Sequence, residues 1–177
     1  MIDPIAIAED LKKNRSKERV AHWVTQMAKE HFVVDDFVAA IKTLPHPSNW
    51  YLSWVMSHYF SSFPHLGAKG QLNLWELLKT TQHPSVQRDL WKTLSVLNID
   101  EEISGYVYDH AIRIIPSPIY AIAARAHAIQ AAFNIAKPYP ELRHELALLL
   151  RSIPEAESSG IKARAKNMLL ELKKLPT

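Results

Sequence analysis

The alanine-rich segment at residues 116–137 restricts the fold more than any other part of the chain, because prolines frame it at both ends. Its apolar side chains recur at steps of three and four, which is typical of one helix face; they are Ile119, Ile122, Ala126, Ile129 and Phe133. Alanines cover most of the remaining surface and let neighbouring helices approach closely. Pro116 and Pro118 suit a first helical turn, and Pro138 ends the helix. We therefore predict a central helix over residues 117–137 that other helices surround.

The rest of the chain shows the same helical periodicity, and no segment alternates with the period of a strand. Asp3, Ser16 and either Ser158 or Ser159 are placed to cap helix N-termini. We predict an all-α fold of about ten helices joined by short turns. These helices are expected to form four to five hairpins within a single domain over residues 1–177.

Two segments resemble each other at a spacing of 37 residues, one from His46 to Phe60 and the other from His83 to Leu97. Each begins with His-Pro-Ser and carries a tryptophan seven residues after the proline, at Trp54 and Trp91. This internal repeat indicates two helices in equivalent positions of successive hairpins. A turn is predicted between them at Gly67–Gly70.

The sequence contains no cysteine, which excludes disulfides, a thiol nucleophile and cysteine-bearing zinc sites. The N-terminus lacks the order of a secretory signal, and no apolar segment approaches the roughly 20 residues of a membrane span. We therefore expect a soluble, cytoplasmic protein. The net charge of +3 is small, and residues 31–110 are net negative. This pattern favours solvated helix faces over a dedicated polyanion site.

Two segments resemble the entry into the second helix of a HEAT hairpin, where a turn precedes an apolar residue, a basic residue and the packed face. They run from His83 to Trp91 and from Ser158 to Lys174. On these residues the chain resembles HEAT and armadillo-type repeat proteins, and over most of its length it is similar to small HEAT-like proteins of bacteria. The resemblance implies a right-handed α-α superhelix that acts as an interaction scaffold.

Some of those bacterial proteins carry the name adenylosuccinate lyase, but this sequence does not support that activity. Lyases of that group have a glycine-rich loop with adjacent serines, Met-Pro, Lys and Asn. The nearest string, from Ser158 to Lys162, lacks Met-Pro and Asn, and we interpret it as a helix cap. A nucleophile elbow, a P-loop and a Rossmann motif are also absent. We predict no catalytic residue and no cofactor.

Nine histidines raise the question of a metal site. No two of them are three or four residues apart, so a site would need ligands from different helices. His110, His127 and His144 recur every 17 residues, and we interpret them as half-buried imidazoles that neighbours satisfy. His46 and His83 stand next to prolines and are predicted in surface turns. No metal site is predicted.

The five tryptophans allow two interpretations. The first is core packing between hairpins, above all for Trp54 and Trp91. The second is an aromatic and basic groove that binds a partner; its predicted lining residues are Trp50, Tyr51, Arg88, Trp91, Lys92 and Arg125. Such a groove suits an extended peptide, since helical repeats bind partners on a concave face with aromatic and arginine anchors.

The leading hypothesis is therefore a non-enzymatic module that docks another protein. The alternative is nucleic-acid binding, because the chain also resembles DNA-alkylation-repeat glycosylases, short HEAT arrays in which Trp, Tyr and basic residues line a groove that cups the duplex by its phosphates. That family has an aspartate near the groove aromatics. The segment from Asn49 to Tyr59 contains no acid, which counts against this alternative.

Overall fold

The structure is a computed structural model that describes residues 2–30, 32–66 and 69–176. These residues form ten α-helices and one short 3-10 helix, and none of them is in a strand. The helices are α1 Pro4–Lys13, α2 Lys17–Lys29, α3 Val34–Thr43, α4 Ser48–Ser62, α5 Gln71–Thr80, α6 Pro84–Leu94, α7 Glu101–Ile114, α8 Ile122–Ala136, α9 Pro140–Arg151 and α10 Ser159–Lys174.

Side-chain caps and prolines start several of these helices where the sequence predicts them. Asp3 accepts a hydrogen bond from the Ile5 amide at 2.9 Å, and Ser16 accepts one from the Arg19 amide at 3.1 Å. Ser158 caps α10 in the same way. Each cap satisfies a backbone donor that lacks an intrahelical partner, so the three predicted helix starts are confirmed.

The helices pack as five consecutive hairpins, from α1 with α2 to α9 with α10. The prediction of an all-α fold built from helical hairpins is therefore confirmed. The hairpins fall into two compact units, of which the first ends at Asn98 and the second begins at Ile99. The prediction of one domain over residues 1–177 stays a prediction.

In the first unit the helices form two layers. The second helices of the hairpins, α2, α4 and α6, pack side by side in one layer, and the first helices, α1, α3 and α5, pack in the other. Helix α4 is the centre of this unit, because it contacts α1, α2, α3 and α6. Its core side chains, such as Leu52 and Val55, are fully buried.

In the second unit α8 holds the central position predicted for the alanine-rich segment, since it packs against α7, α9 and α10. Ala124, Ala128 and Ala132 are fully buried on it. The helix begins later than predicted, however, and Ile119 is 84% and Ile122 51% exposed. Two prolines at alternate positions explain this difference, because a residue that precedes proline avoids helical dihedrals.

The predicted turn at Gly67–Gly70 lies partly outside the described residues, which exclude Gly67 and Ala68. Gly70 has a φ of 83°, a left-handed conformation that favours glycine. A Cβ atom at this position would stand 2.8 Å from the Cβ of Val34, so the turn also needs a residue without a side chain.

Among the described helices, none has the length and apolar content of a membrane span.

Candidate functional site

Five aromatic rings follow one another along α4 in the first unit. The ring of His83 stacks on His46 at a centroid distance of 4.1 Å. His46 is followed by Trp50 at 6.2 Å and Trp50 by Trp54 at 5.9 Å, with interplanar angles of 23° and 18°. The ring of His58 meets Trp54 edge-on at 6.0 Å. We call these five residues the ring stripe.

A spacing of four residues accounts for four of the five rings, and His83 joins them from the turn before α6. Residues four apart stand above one another on one helix face, so His46, Trp50, Trp54 and His58 line up along α4 and the turn before it. Their spread of 12 residues corresponds to about 18 Å at 1.5 Å per residue. His46 is exposed and the other rings are half-buried, so the stripe forms part of the surface.

Cationic side chains flank the stripe on both sides. From the α1–α2 connection, the guanidinium of Arg15 lies 5.4 Å from the Trp50 ring centre, within the range of a cation–π contact. Lys17, at the start of α2, is exposed. On the α6 side stand Arg88 and Lys92, both half-buried. The stripe therefore runs between two basic edges.

The positive charges of three of these cations affect the pKa of His58, at one end of the stripe. Burial lowers the pKa of His58, and the positive charges of Lys92, Arg88 and Lys17 lower it further. Burial and the neighbouring His46 also lower the pKa of His83. Both shifts favour the uncharged form of the imidazole.

A cavity of about 420 Å³ opens at the His58 end of the stripe, between α2 and α4. The rings of Trp54 and His58 line it together with Val20 and Val24 of α2, and Lys17 also borders it. Its volume falls within the range of small-molecule pockets, and its lining is mainly apolar with a few polar groups. The stripe thus ends in a recess that can accept a flat group.

Asp89 connects α6 to α4 by a hydrogen bond. Its side chain is 2% exposed, and its Oδ2 atom accepts a hydrogen bond from the Ser53 hydroxyl at 3.1 Å. Arg88 donates from Nε to Oδ1 at 2.8 Å. Burial raises the pKa of Asp89, although Arg88 and Ser53 oppose this shift. An acid from the next hairpin therefore does contact α4, although the sequence of α4 itself contains none.

Two ring nitrogens in the stripe are not used by the fold. Trp50 Nε1 and His83 Nδ1 are buried and have no hydrogen-bond partner in the part of the chain that the structure describes. A buried polar atom without a hydrogen-bond partner costs about 1–3 kcal/mol. Stability alone therefore does not explain the choice of these rings.

The predicted groove residues occupy three different environments. Trp50 belongs to the ring stripe, and Arg88 and Lys92 flank it. Tyr51 and Trp91 are only 7% and 1% exposed, so their side chains contribute to the core of the first unit. Their role in binding a partner stays a prediction.

Arg125 lies on α8 in the second unit and is 2% exposed. It donates from Nε to the Ile115 carbonyl at 2.8 Å and contacts Glu157 Oε2 at 2.5 Å. The hydrogen bond from Arg125 lowers the pKa of Glu157 to about 2. The described contacts of this guanidinium thus join α8 to the segment before α10.

Sequence reasoning missed most of the stripe. The predicted groove included Trp50 but left out the other four rings, His46, Trp54, His58 and His83, together with the flanking Arg15 and Lys17. The aromatic period of four was visible in the sequence and could have revealed the α4 part. The packing of α2 and α6 against α4 was not visible.

No group of three or more His, Asp or Glu side chains that could hold a metal ion occurs among the described residues.

In comparison with known proteins, a family model described as a HEAT repeat domain matches residues 7–172. No curated protein and no solved structure matches the chain.

Proposed function

The chain belongs to the HEAT repeat family, and on this basis we propose that it is a non-enzymatic interaction module whose binding face is the ring stripe. The observation that carries the proposal is the row of five rings between two basic edges. Helical repeats bind extended partners along surfaces to which successive repeats contribute. The stripe has this character, since α4 and the turns before α4 and α6 supply its rings and the hairpins on either side of α4 supply its cations.

The first candidate partner is another protein. Aromatic and arginine side chains dominate the energetics of protein interfaces. The cavity between α2 and α4 has room for a side chain of the partner. An extended acidic segment of a partner would meet rings along its length and a cation on either side.

The second candidate partner is nucleic acid. The cations on both sides of the rings favour it, because a nucleic-acid strand combines a flat base with a phosphate at every step. The acid found beside α4 does not by itself make the site catalytic. Asp89 is buried, and its carboxylate is already bound by Arg88 and Ser53.

A pull-down from the source cell's lysate tests the proposal. Tagged protein is used with and without nuclease and at low and high salt, and the wild type is compared with Trp54→Leu and with the double variant Arg15→Glu/Lys17→Glu. We expect both variants to lose a partner that the wild type retains. The charge control is Lys29→Glu/Lys42→Glu, which makes the same change in net charge at the end of α2 and on α3. Retention of every partner by both stripe variants would refute the binding face.

A further inference from the structure

We propose that the partner on the ring stripe is single-stranded nucleic acid. The inference rests on the proposed function, because it assigns an occupant to the same binding face. It is carried by the geometry of the rings, the placement of the cations and the recess at the end of the stripe.

The rings are arranged so that bases can stack on them. The planes of Trp50 and Trp54 are nearly parallel, but their centroids are 5.9 Å apart, which is an offset arrangement. Each indole therefore leaves part of its face uncovered by the other, although His46 and Arg15 also contact the Trp50 ring. Unpaired bases stack on such faces whatever their identity, and this contact is a main source of affinity for single strands.

The cations lie where a strand would place its phosphates. Arg15 and Lys17 stand on the α2 side of the rings, and Arg88 and Lys92 stand on the α6 side. The carboxylate that contacts α4 here, Asp89, is turned inward and is 2% exposed. Arg88 is held in an ion pair with Asp89, so a strand that crosses the stripe would meet mainly Lys92 on the α6 side and Arg15 and Lys17 on the α2 side.

The dimensions suit a few nucleotides. The stripe extends for about 18 Å along α4, which corresponds to about five nucleotides at the 3.4 Å rise of a stacked strand. The recess beside Trp54 and His58 can take a base that leaves the stack. Base pairs in a duplex hide the faces that the rings need, so the geometry favours a single strand over a duplex.

Fluorescence anisotropy with a fluorescein-labelled 15-mer of deoxythymidine tests this inference. We expect Trp54→Leu to weaken binding about tenfold, since base stacking on one aromatic side chain contributes a factor of about 5 to 150 in affinity. Binding should also weaken with salt. Arg15→Glu/Lys17→Glu should reduce the slope of log affinity against log salt by about 1.4, because each phosphate contact on a single strand contributes about 0.7.

Two control variants separate stacking from charge, and a second stripe variant separates a loss of stacking from misfolding. Tyr106→Leu removes a ring that is 65% exposed on α7, and Lys29→Glu/Lys42→Glu reverses two exposed charges elsewhere; both should bind like the wild type. His46→Ala removes an exposed ring of the stripe and should weaken binding without a fall in Tm. It serves as the second test if Trp54→Leu unfolds.

The outcomes distinguish the partner classes. Equal or tighter binding of the same sequence as a duplex, or equal binding of a poly-glutamate peptide of 15 residues, would overturn the inference. So would unchanged affinity in both Trp54→Leu and His46→Ala. If the oligonucleotide does not bind but a cellular protein is lost with the stripe variants, the proposed function stands and only the occupant is wrong. If no partner depends on the stripe, both proposals fail.

Discussion

Replacing Arg88 by alanine removes the cation that contacts a buried carboxylate. The Asp89 side chain is 2% exposed and Arg88 is 34% exposed. Removal of one partner from a fully buried ion pair costs about 3–5 kcal/mol. Since solvent already screens part of the Arg88 charge, we expect a loss of about 2–3 kcal/mol in the free energy of unfolding at pH 7.

Asp89→Asn should cost less, because burial already disfavours the charged carboxylate and raises its pKa. The amide also keeps an acceptor oxygen for the Ser53 hydroxyl. The double variant Arg88→Ala/Asp89→Asn contains no buried charge without a partner. We therefore expect its loss to be smaller than the sum of the single losses by about 1 kcal/mol or more.

The sign of the pH dependence follows from the same pair. Without Arg88 the pKa of Asp89 rises further, and a group whose folded pKa is raised stabilises the fold at low pH and loses that contribution as the pH rises through the folded pKa. Arg88→Ala should thus be closer to wild-type stability at pH 5 than at pH 8. Urea denaturation followed by tryptophan fluorescence measures both quantities. Additive losses, or an Arg88→Ala variant as stable as the wild type at pH 8, would refute the reasoning.

Three further predictions concern the rest of the fold. Burial and nearby cations lower the pKa of His58, so below about pH 6.5 the unfolded chain binds more protons and stability falls; Tm should drop between pH 7.5 and 5.5, and less so in His58→Gln. Gly70→Ala should lose more than about 1 kcal/mol in urea denaturation because of its positive φ, whereas Gly105→Ala, with open space around the new Cβ, should gain about 1 kcal/mol. All five tryptophans precede Ile99, so fluorescence reports on the first unit and circular dichroism on both; a single domain requires the two urea transitions to coincide.

Helix starts could be predicted from the sequence because their causes are local. A cap such as Ser16 or Asp3 bonds to an amide two or three residues away, so the participants are neighbours in the sequence. The central role of α8 was equally accessible, since its alanines make it apolar on several sides. The exposed position of Ile119 was predicted wrongly, because the helical periodicity of the apolar residues was extended through two prolines that interrupt the helix.

Equivalent positions in the sequence repeat do not have equivalent surroundings. Trp54 and Trp91 both stand seven residues after a His-Pro proline. Trp91 is 1% exposed in the core, whereas Trp54 is half-buried and lines the cavity against α2. The difference depends on which neighbours each helix acquires, and this is a tertiary property that a repeat in one sequence does not encode.

Some side chains of α4 are buried in the core, whereas others remain partly exposed and available to a partner. Its core face is supplied by side chains such as Leu52, Met56 and Phe60, which are fully buried. Trp50 and Trp54 add large rings at half-buried positions, where only part of their apolar area is removed from water and the burial free energy is correspondingly smaller. The indole nitrogen of Trp50 is also left without an acceptor in the described structure. A leucine at position 50 would not carry that cost, so the Trp50 ring is better explained by a partner that stacks on it than by the stability of the free protein.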